Sequence, residues 1–147
     1  MSGSDFFRPK AGRFGIVPAF FASPAAGTLT ANATTTVHIP TPVRKARFLR
    51  ASLGCTTVCV DADGTMLATL YKYDASADAG VALTEAFNIE SVVTKESAAL
   101  TNLTTLTDAI RTVDTGDRFY ISYVSNSAAV DTQPTELFCS VECAILE

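Results

Sequence analysis

The plainest signal in the chain lies at its end. Leu137, Cys139, Val141, Cys143 and Ile145 alternate with Glu136, Ser140 and Glu142. A period of two predicts a strand with one face in a core and the other toward water. Phe138 and Leu146 fall on the outer face with the charges, which marks part of that face as a candidate for cover. Upstream, residues 34–39 are β-branched and stop at Pro40, as a strand should. Residues 43–60 form a long strand-like run with turn-prone Gly54 inside it, readable as two strands or as one bulged strand. Asp61-Ala-Asp-Gly64 is a turn signal that leads straight into residues 65–73, so strand, turn and strand predict a hairpin. Residues 74–80 are a small-residue loop. Residues 104–113 are Thr-rich and read as strand. Asp114-Thr-Gly-Asp117 reads as a turn, residues 118–124 as strand, and 125–134 as loop.

One segment has helical spacing. Between residues 84 and 103, Ile89, Val92, Val93, Leu100 and Leu103 fall near one face, and Glu90, Lys95 and Glu96 fall elsewhere. Ala, Leu, Glu and Lys dominate it, which favours helix, with Thr84 as a candidate cap. Residues 1–27 follow neither period and are broken by Pro9, Pro18 and Pro24, so extended chain is expected there. The predicted architecture is mainly β: an antiparallel β-sandwich of jelly-roll or Greek-key type, with one helix inserted near 86–102. The expected division is an extended N-terminal arm, 1–27, and a β-sandwich domain, 28–147.

Charge adds what periodicity does not show. No acidic residue occurs between Asp5 and Asp61. Residues 1–50 carry seven Lys or Arg against one Asp, whereas residues 51–147 carry four against fourteen Asp or Glu. The formal net charge of −4 hides this polarity. Such asymmetry between halves points to an interaction surface. In the arm the cations Arg8, Lys10 and Arg13 are interleaved with Phe6, Phe7, Phe14, Ile16, Phe20 and Phe21. These nine residues are the candidate partner-binding set. With 48% apolar and 18% charged residues over 147 positions, the rest has the composition of one folded domain with much neutral surface. Gly15 and Pro18 interrupt the apolar stretch 14–22, so a cleaved leader is not expected. No run approaches the ~18–20 apolar residues that span a bilayer.

Little in the chain carries chemistry. The cysteines form two matched pairs, Cys55-x-x-x-Cys59 and Cys139-x-x-x-Cys143. In a strand, residues four apart stand about 13 Å from each other, whereas zinc needs sulfurs about 2.3 Å from one metal. Zinc is therefore disfavoured. Two readings stay open: cross-strand disulfides joining Cys55 to Cys143 and Cys59 to Cys139, or four buried free thiols serving as small apolar residues. Asp61-x-Asp63-Gly64 resembles the start of a calcium loop but lacks its later ligands. His38, the single histidine, has no nucleophile motif near it and reads as a structural or surface residue. Glu90 with Glu96, or Asp114 with Asp117, are the carboxylate pairs available for acid–base work, and turns and a helix face account for them. No phosphate-cradling glycine loop is present. Arg44, Lys45, Arg47 and Arg50 form a basic cluster, but regular alternation splits it across two faces of a strand unless a bulge intervenes. Together with a pI near 4.9, this argues against nucleic acid. No catalytic residue, metal or cofactor is expected. A sugar-binding sandwich is the rival from another class, with Tyr71, Tyr73 and Tyr120 as its aromatic platform.

The stretches 43–52, 61–74 and 114–126, with their Thr/Ala-rich strands, Asp-Gly turns and short loops, resemble small virion proteins of tailed bacteriophages. The family is that of capsid decoration (cement) and related head-associated proteins, many of which are β-sandwiches or jelly rolls. The resemblance covers roughly residues 28–147 as a style and includes no defining motif. It implies a non-enzymatic protein on the virion exterior, made in the host cytoplasm, that binds a capsid lattice as an oligomer through its N-terminal arm. Its partners would be the major capsid protein and sister subunits, with no membrane and no nucleic acid. A head fibre, neck or tail-adaptor component is the alternative within the virion.

Overall fold

The alternation of residues 137–145 becomes the centre of a sheet. In the computed structural model, which describes residues 17–40, 44–91 and 97–146, Phe138–Ile145 is the last of ten strands, β10. The others are β1 (Val17–Ala22), β2 (Thr34–Ile39), β3 (Ala46–Gly54), β4 (Met66–Asp74), β5 (Ala79–Ala82), β6 (Phe87–Asn88), β7 (Ser97–Ala99), β8 (Thr112–Val113) and β9 (Arg118–Ser125). One sheet has the order β1-β10-β3-β7, with β8 also on β3; the second has the order β2-β9-β4-β5, with β6 also on β4. Every pairing is antiparallel. The inner faces meet in one core. Phe48, Leu53, Cys139, Val141 and Cys143 come from the first sheet, and Met66, Leu70, Phe119, Ile121 and Tyr123 from the second. Phe48 and Phe119 touch across it, ring centroids 6.2 Å apart. The expected antiparallel β-sandwich is the fold observed.

Four local expectations are corrected. First, the Asp61–Gly64 turn does not close a hairpin. The strands on either side, β3 and β4, belong to different sheets, and β3 ends at Gly54. The segment between them crosses the open end of the sandwich. Second, of the two readings left open for residues 43–60, two strands is overturned and one bulged strand is observed, with its bulge at Leu49 and not at the turn-prone Gly54. Glu142 pairs with Arg50 while Cys143 pairs with Phe48, so Leu49 is left over. Its carbonyl accepts the Asn102 side-chain amide at 2.9 Å. The extra residue switches the inward set from Ala46 and Phe48 to Ala51 and Leu53.

Third, the described part of the helix expected near 86–102 is not helical. It comprises β6, a single 3-10 turn over Ile89–Ser91, and β7; Val92, Val93, Lys95 and Glu96 lie outside the described residues. The physical reason is the chain path. β6 is held on β4 and β7 on β3, so the segment crosses between sheets. Ile89 and Leu100 enter the core from its two ends. Fourth, residues 104–113 are mostly not strand. Thr107 caps a one-turn helix, α1 (Asp108–Arg111), by accepting the Ile110 amide on its hydroxyl at 3.3 Å, and only Thr112 and Val113 pair with β3.

The segment after β1 is fastened to the body. Ser23 N–H donates to the Cys139 carbonyl at 2.8 Å and Ala26 N–H to that of Leu137 at 2.7 Å. The Gln133 side chain takes both backbone groups of Leu29, accepting from its N–H and donating to its carbonyl, each at 2.9 Å. Among the described residues no helix is long and apolar enough to cross a membrane.

Candidate functional site

Of the nine candidate partner-binding residues, Phe6, Phe7, Arg8, Lys10, Arg13, Phe14 and Ile16 lie outside the described residues. The two that are described sit on β1, and they part company. Phe21 packs against the core, whereas Phe20 on the opposite face is 67% exposed. Alternation in β1 accounts for this: Phe21 faces Val141 and Phe20 faces Glu142. Residues 17–22 are thus an edge strand of the sandwich rather than free arm, since β1 pairs only with β10 among the described strands.

The outer face beside Phe20 is small and half polar. Phe20, Glu142 and Arg50 stand in one cross-strand row, and the Arg50 guanidinium donates to Glu142. With Ser52, Leu100 and Ser140 they line a shallow depression of about 220 Å³. At its far end the ring of Phe138 lies on Gly54, where a Cβ would fall 2.8 Å from ring carbons. Burial on this face comes from Phe138 covering a glycine, and Gly54 must lack a side chain for that.

The basic cluster of β3 is used within the body. Because of the bulge, Arg47 and Arg50 both point outward, contrary to regular alternation. Arg47 pairs with Asp108, Arg50 with Glu142, and Lys45 with Asp114 at 3.7 Å. Each pair joins the basic half to the acidic half of the same chain.

The carboxylates gather differently at the end where β3 stops and β10 begins. There the loop after β3 and the loop before β10 are zipped by bridges between Thr57 and Thr135 and between Val60 and Thr132. Gly64 permits the closest approach, since a Cβ there would lie 2.7 Å from the Ser127 Cβ and 2.9 Å from its Cα. Asp61 is 6% exposed. Its Oδ1 accepts from the Ser127 hydroxyl at 2.8 Å and from the Asp63 amide at 3.2 Å, while Oδ2 has no partner. Glu90 accepts the Asp61 amide at 2.6 Å, Asp131 accepts the Ala62 amide at 2.8 Å, and Glu136 accepts the Thr56 hydroxyl. None of Asp61, Asp63, Glu90, Asp131 and Glu136 has an ion pair among the described residues. They come from three separate stretches of sequence: the loop after β3, the 3-10 turn at residue 90 and the loop before β10. Alternation and turn signals placed Asp61 and Asp63 in a hairpin and Glu90 on a helix, which hid the convergence; the only trace in the sequence was the acidic excess of this half.

The remaining candidate chemistry resolves into structure. All four cysteines are buried and free. Cys143 lies opposite Phe48 and Cys139 opposite Leu53, so neither faces Cys55 or Cys59 across β3. Burial pushes the thiols up, Cys59 to about 11 with help from nearby Glu90 and Asp61, and Cys139 and Cys143 to about 12. No group of three His, Cys, Asp or Glu is placed to hold a metal among the described residues. Asp117 spends both oxygens on backbone amides, those of Ala75 at 3.0 Å and Asp114 at 2.9 Å, which makes it a turn residue. Tyr71 and Tyr120 stack with centroids 5.1 Å apart and planes 3° apart, and His38 meets Tyr120 edge-on. The Tyr73 ring carries the Arg118 guanidinium at 4.4 Å and its hydroxyl donates to Asp78. These ring faces are turned largely on each other and on Arg118, which is how aromatic rows pack on a sheet.

No family model matches the sequence, and no curated protein matches it. Among solved structures, the chain is similar to one from the cyanophage Pam1 capsid asymmetric unit. The TM-score is 0.52 at 20% identity, over 94% of this chain and 91% of that one. At that identity the likeness is one of fold.

Proposed function

We propose that this chain is a non-enzymatic structural protein of a phage virion, which decorates and stabilises a capsid lattice. The observation that carries the reading is the shared sandwich. It extends over 94% of the chain, and the neighbour comes from a capsid asymmetric unit. A second support is the plainness of the body: buried thiols, turn carboxylates and paired surface cations leave no assembled catalytic group among the described residues. Residues 1–16 are the anchor in this reading. They carry Arg8, Lys10 and Arg13 among Phe6, Phe7, Phe14 and Ile16, and in sequence they precede edge strand β1, whose Phe20 is exposed. The division between arm and body then falls at Val17 rather than after residue 27. Each buried Phe is worth roughly 1.5–3 kcal/mol, while ordering backbone costs about 1–2 kcal/mol per residue. Three such Phe and one Ile recover less than ordering sixteen residues costs, so attachment of one subunit through burial alone is weak and depends on the arm's cations and on many linked copies. The partners are the major capsid protein and sister subunits, on the capsid exterior.

Quantitative mass spectrometry of purified virions tests this. A decoration protein is expected at a copy number comparable to that of the capsid subunits. A copy number matching a single vertex or neck ring would favour the adaptor alternative, and absence from the particle would overturn the reading.

A further inference from the structure

A strand at the side of a sheet carries a row of backbone groups without partners. Natural sheets blunt such rows with proline, charge, bulges or shortness. Most edges of this sandwich are blunted. Strands β5 to β8 are four residues or fewer. On β1 the Ser23 N–H bonds to the Cys139 carbonyl, so in the same register Val17, Ala19 and Phe21 face β10 while Pro18, Phe20 and Ala22 face away. Pro18 thus takes one of the three outward places and has no N–H to offer.

The edge at β2 has no such guard. The Ser125 N–H bonds to the Ala33 carbonyl at 3.0 Å, and Thr34 lies opposite Val124. Thr35, Val37 and Ile39 therefore face β9, while Thr34, Thr36 and His38 turn their N–H and carbonyl groups outward. Among the described residues β2 pairs only with β9, and the outward backbone groups of Thr34, Thr36 and His38 have no partner. The strand contains no proline and no Lys, Arg, Asp or Glu, and its register is unbroken by a bulge.

We propose that β2 pairs antiparallel with β2 of a second copy, about a two-fold axis at Thr36. Three features select a second copy over a foreign strand. The outward positions are centred on Thr36. A two-fold register therefore sets Thr36 against its own counterpart and Thr34 against the second copy's His38, and every outward N–H meets an outward carbonyl. Next, a strand that meets itself brings its charges near their own copies, and like charges across strands repel. β2 carries none, and so it also offers nothing for a charged partner to read. Last, the same register sets Thr35 against the second copy's Val37 on the inner side. Both are half-buried, and Val37 packs against the core, so the pairing closes the side of the sandwich over it. The contact is isologous and stops at two copies. The order β5-β4-β9-β2 continues into the second copy as one sheet, whose outer edges are the short β5. The inference rests on β2 and goes beyond the capsid reading.

Sedimentation velocity of the full chain, over a concentration series reaching the high micromolar range, tests it. The wild-type chain is expected to show a monomer–dimer equilibrium that salt changes little, because the contact is uncharged. Thr36→Lys and Thr36→Glu set like charges face to face across the axis, and each should weaken dimerisation about tenfold or more. Residue 36 is exposed, so both variants should melt like wild type. An equimolar mixture of the two should dimerise again, which a loss of folding would not produce. A wild-type chain that stays monomeric, a Thr36→Lys variant that dimerises like wild type, or a mixture no better than its separate members would overturn the proposal. Dimerisation only after removal of residues 2–16 would give the edge to the chain's own N-terminus. A monomeric chain whose Thr36→Lys variant fails to pellet with capsid particles would give it to a capsid subunit. Both results overturn the second copy as occupant. Dimerisation with its charge rescue, in a protein absent from virions, would leave this contact standing and the capsid reading wrong. A monomer found at capsid copy number would do the reverse.

Discussion

Gly64 faces Ser127 so closely that no side chain fits between them. The obstacle is partly backbone, with the Ser127 Cα 2.9 Å and the Asn126 carbonyl 3.0 Å from the position a Cβ would take. Gly64→Ala is expected to cost about 1–3 kcal/mol, read from denaturant melts; an unchanged midpoint would contradict the packing described. At Gly54 the obstacle is only the outer edge of the Phe138 ring, which can swing away, so Gly54→Ala should cost less. The thiols give a pH test. Folding raises Cys59 to about 11 and Cys139 and Cys143 to about 12, against about 8.5 in an unfolded chain. The unfolded state thus releases these protons first. Their contribution is fully present below about pH 8.5 and falls as pH rises toward 11–12. Replacing Cys139 and Cys143 by Ala should flatten that alkaline loss in melts taken across the window, and an unaltered slope would contradict it. Alternation placed Cys139 and Cys143 on the inner face, but that all four thiols are free is decided by the structure alone. The meeting of Asp61, Glu90 and Asp131 was not legible, because each sits in a turn or crossing whose partner lies far away in sequence.

Elements were legible where one face is wet and the other dry. β10, β2, β4 and β9 follow their period of two because each has a core on one side only. The reading failed where the chain changes sheets. Residues 86–102 place apolar residues at spacings that mimic a helix, but Ile89 and Leu100 serve the core from two different strands' ends. The bulge at Leu49 is a related case: a single added residue reverses the parity of β3, and no local signal separates it from Gly54. The clasp on the segment after β1 was equally hidden, since it depends on Gln133 meeting Leu29 across 104 positions. Gln133→Ala removes both of its bonds and should destabilise by about 1–3 kcal/mol, with faster hydrogen exchange at the Leu29 amide. Exchange as slow as in the wild-type chain would mean that the clasp does not hold this segment.

At the scale of the whole molecule, the described residues form a two-sheet sandwich, and residues 1–16, which precede it in sequence, carry three cations against one carboxylate. The charge asymmetry was legible in the acid-free first half. The strand at residues 17–22 was not, because it gains its regularity only from pairing with β10, and Pro18 disguises an edge strand as broken chain. That pairing changes what a truncation should remove. Deleting through Ala22 strips an edge strand and exposes the surface under Phe21, whereas deleting residues 2–16 leaves every described strand. Co-sedimentation with capsid particles that lack the protein, comparing the full chain with the chain lacking residues 2–16, is the most direct measurement. The shortened chain is expected to melt like the full chain and to remain in the supernatant, while the full chain pellets with the particles. A shortened chain that pellets in the same stoichiometry would contradict the arm as the point of attachment, and a full chain that never pellets would contradict the capsid itself as the partner.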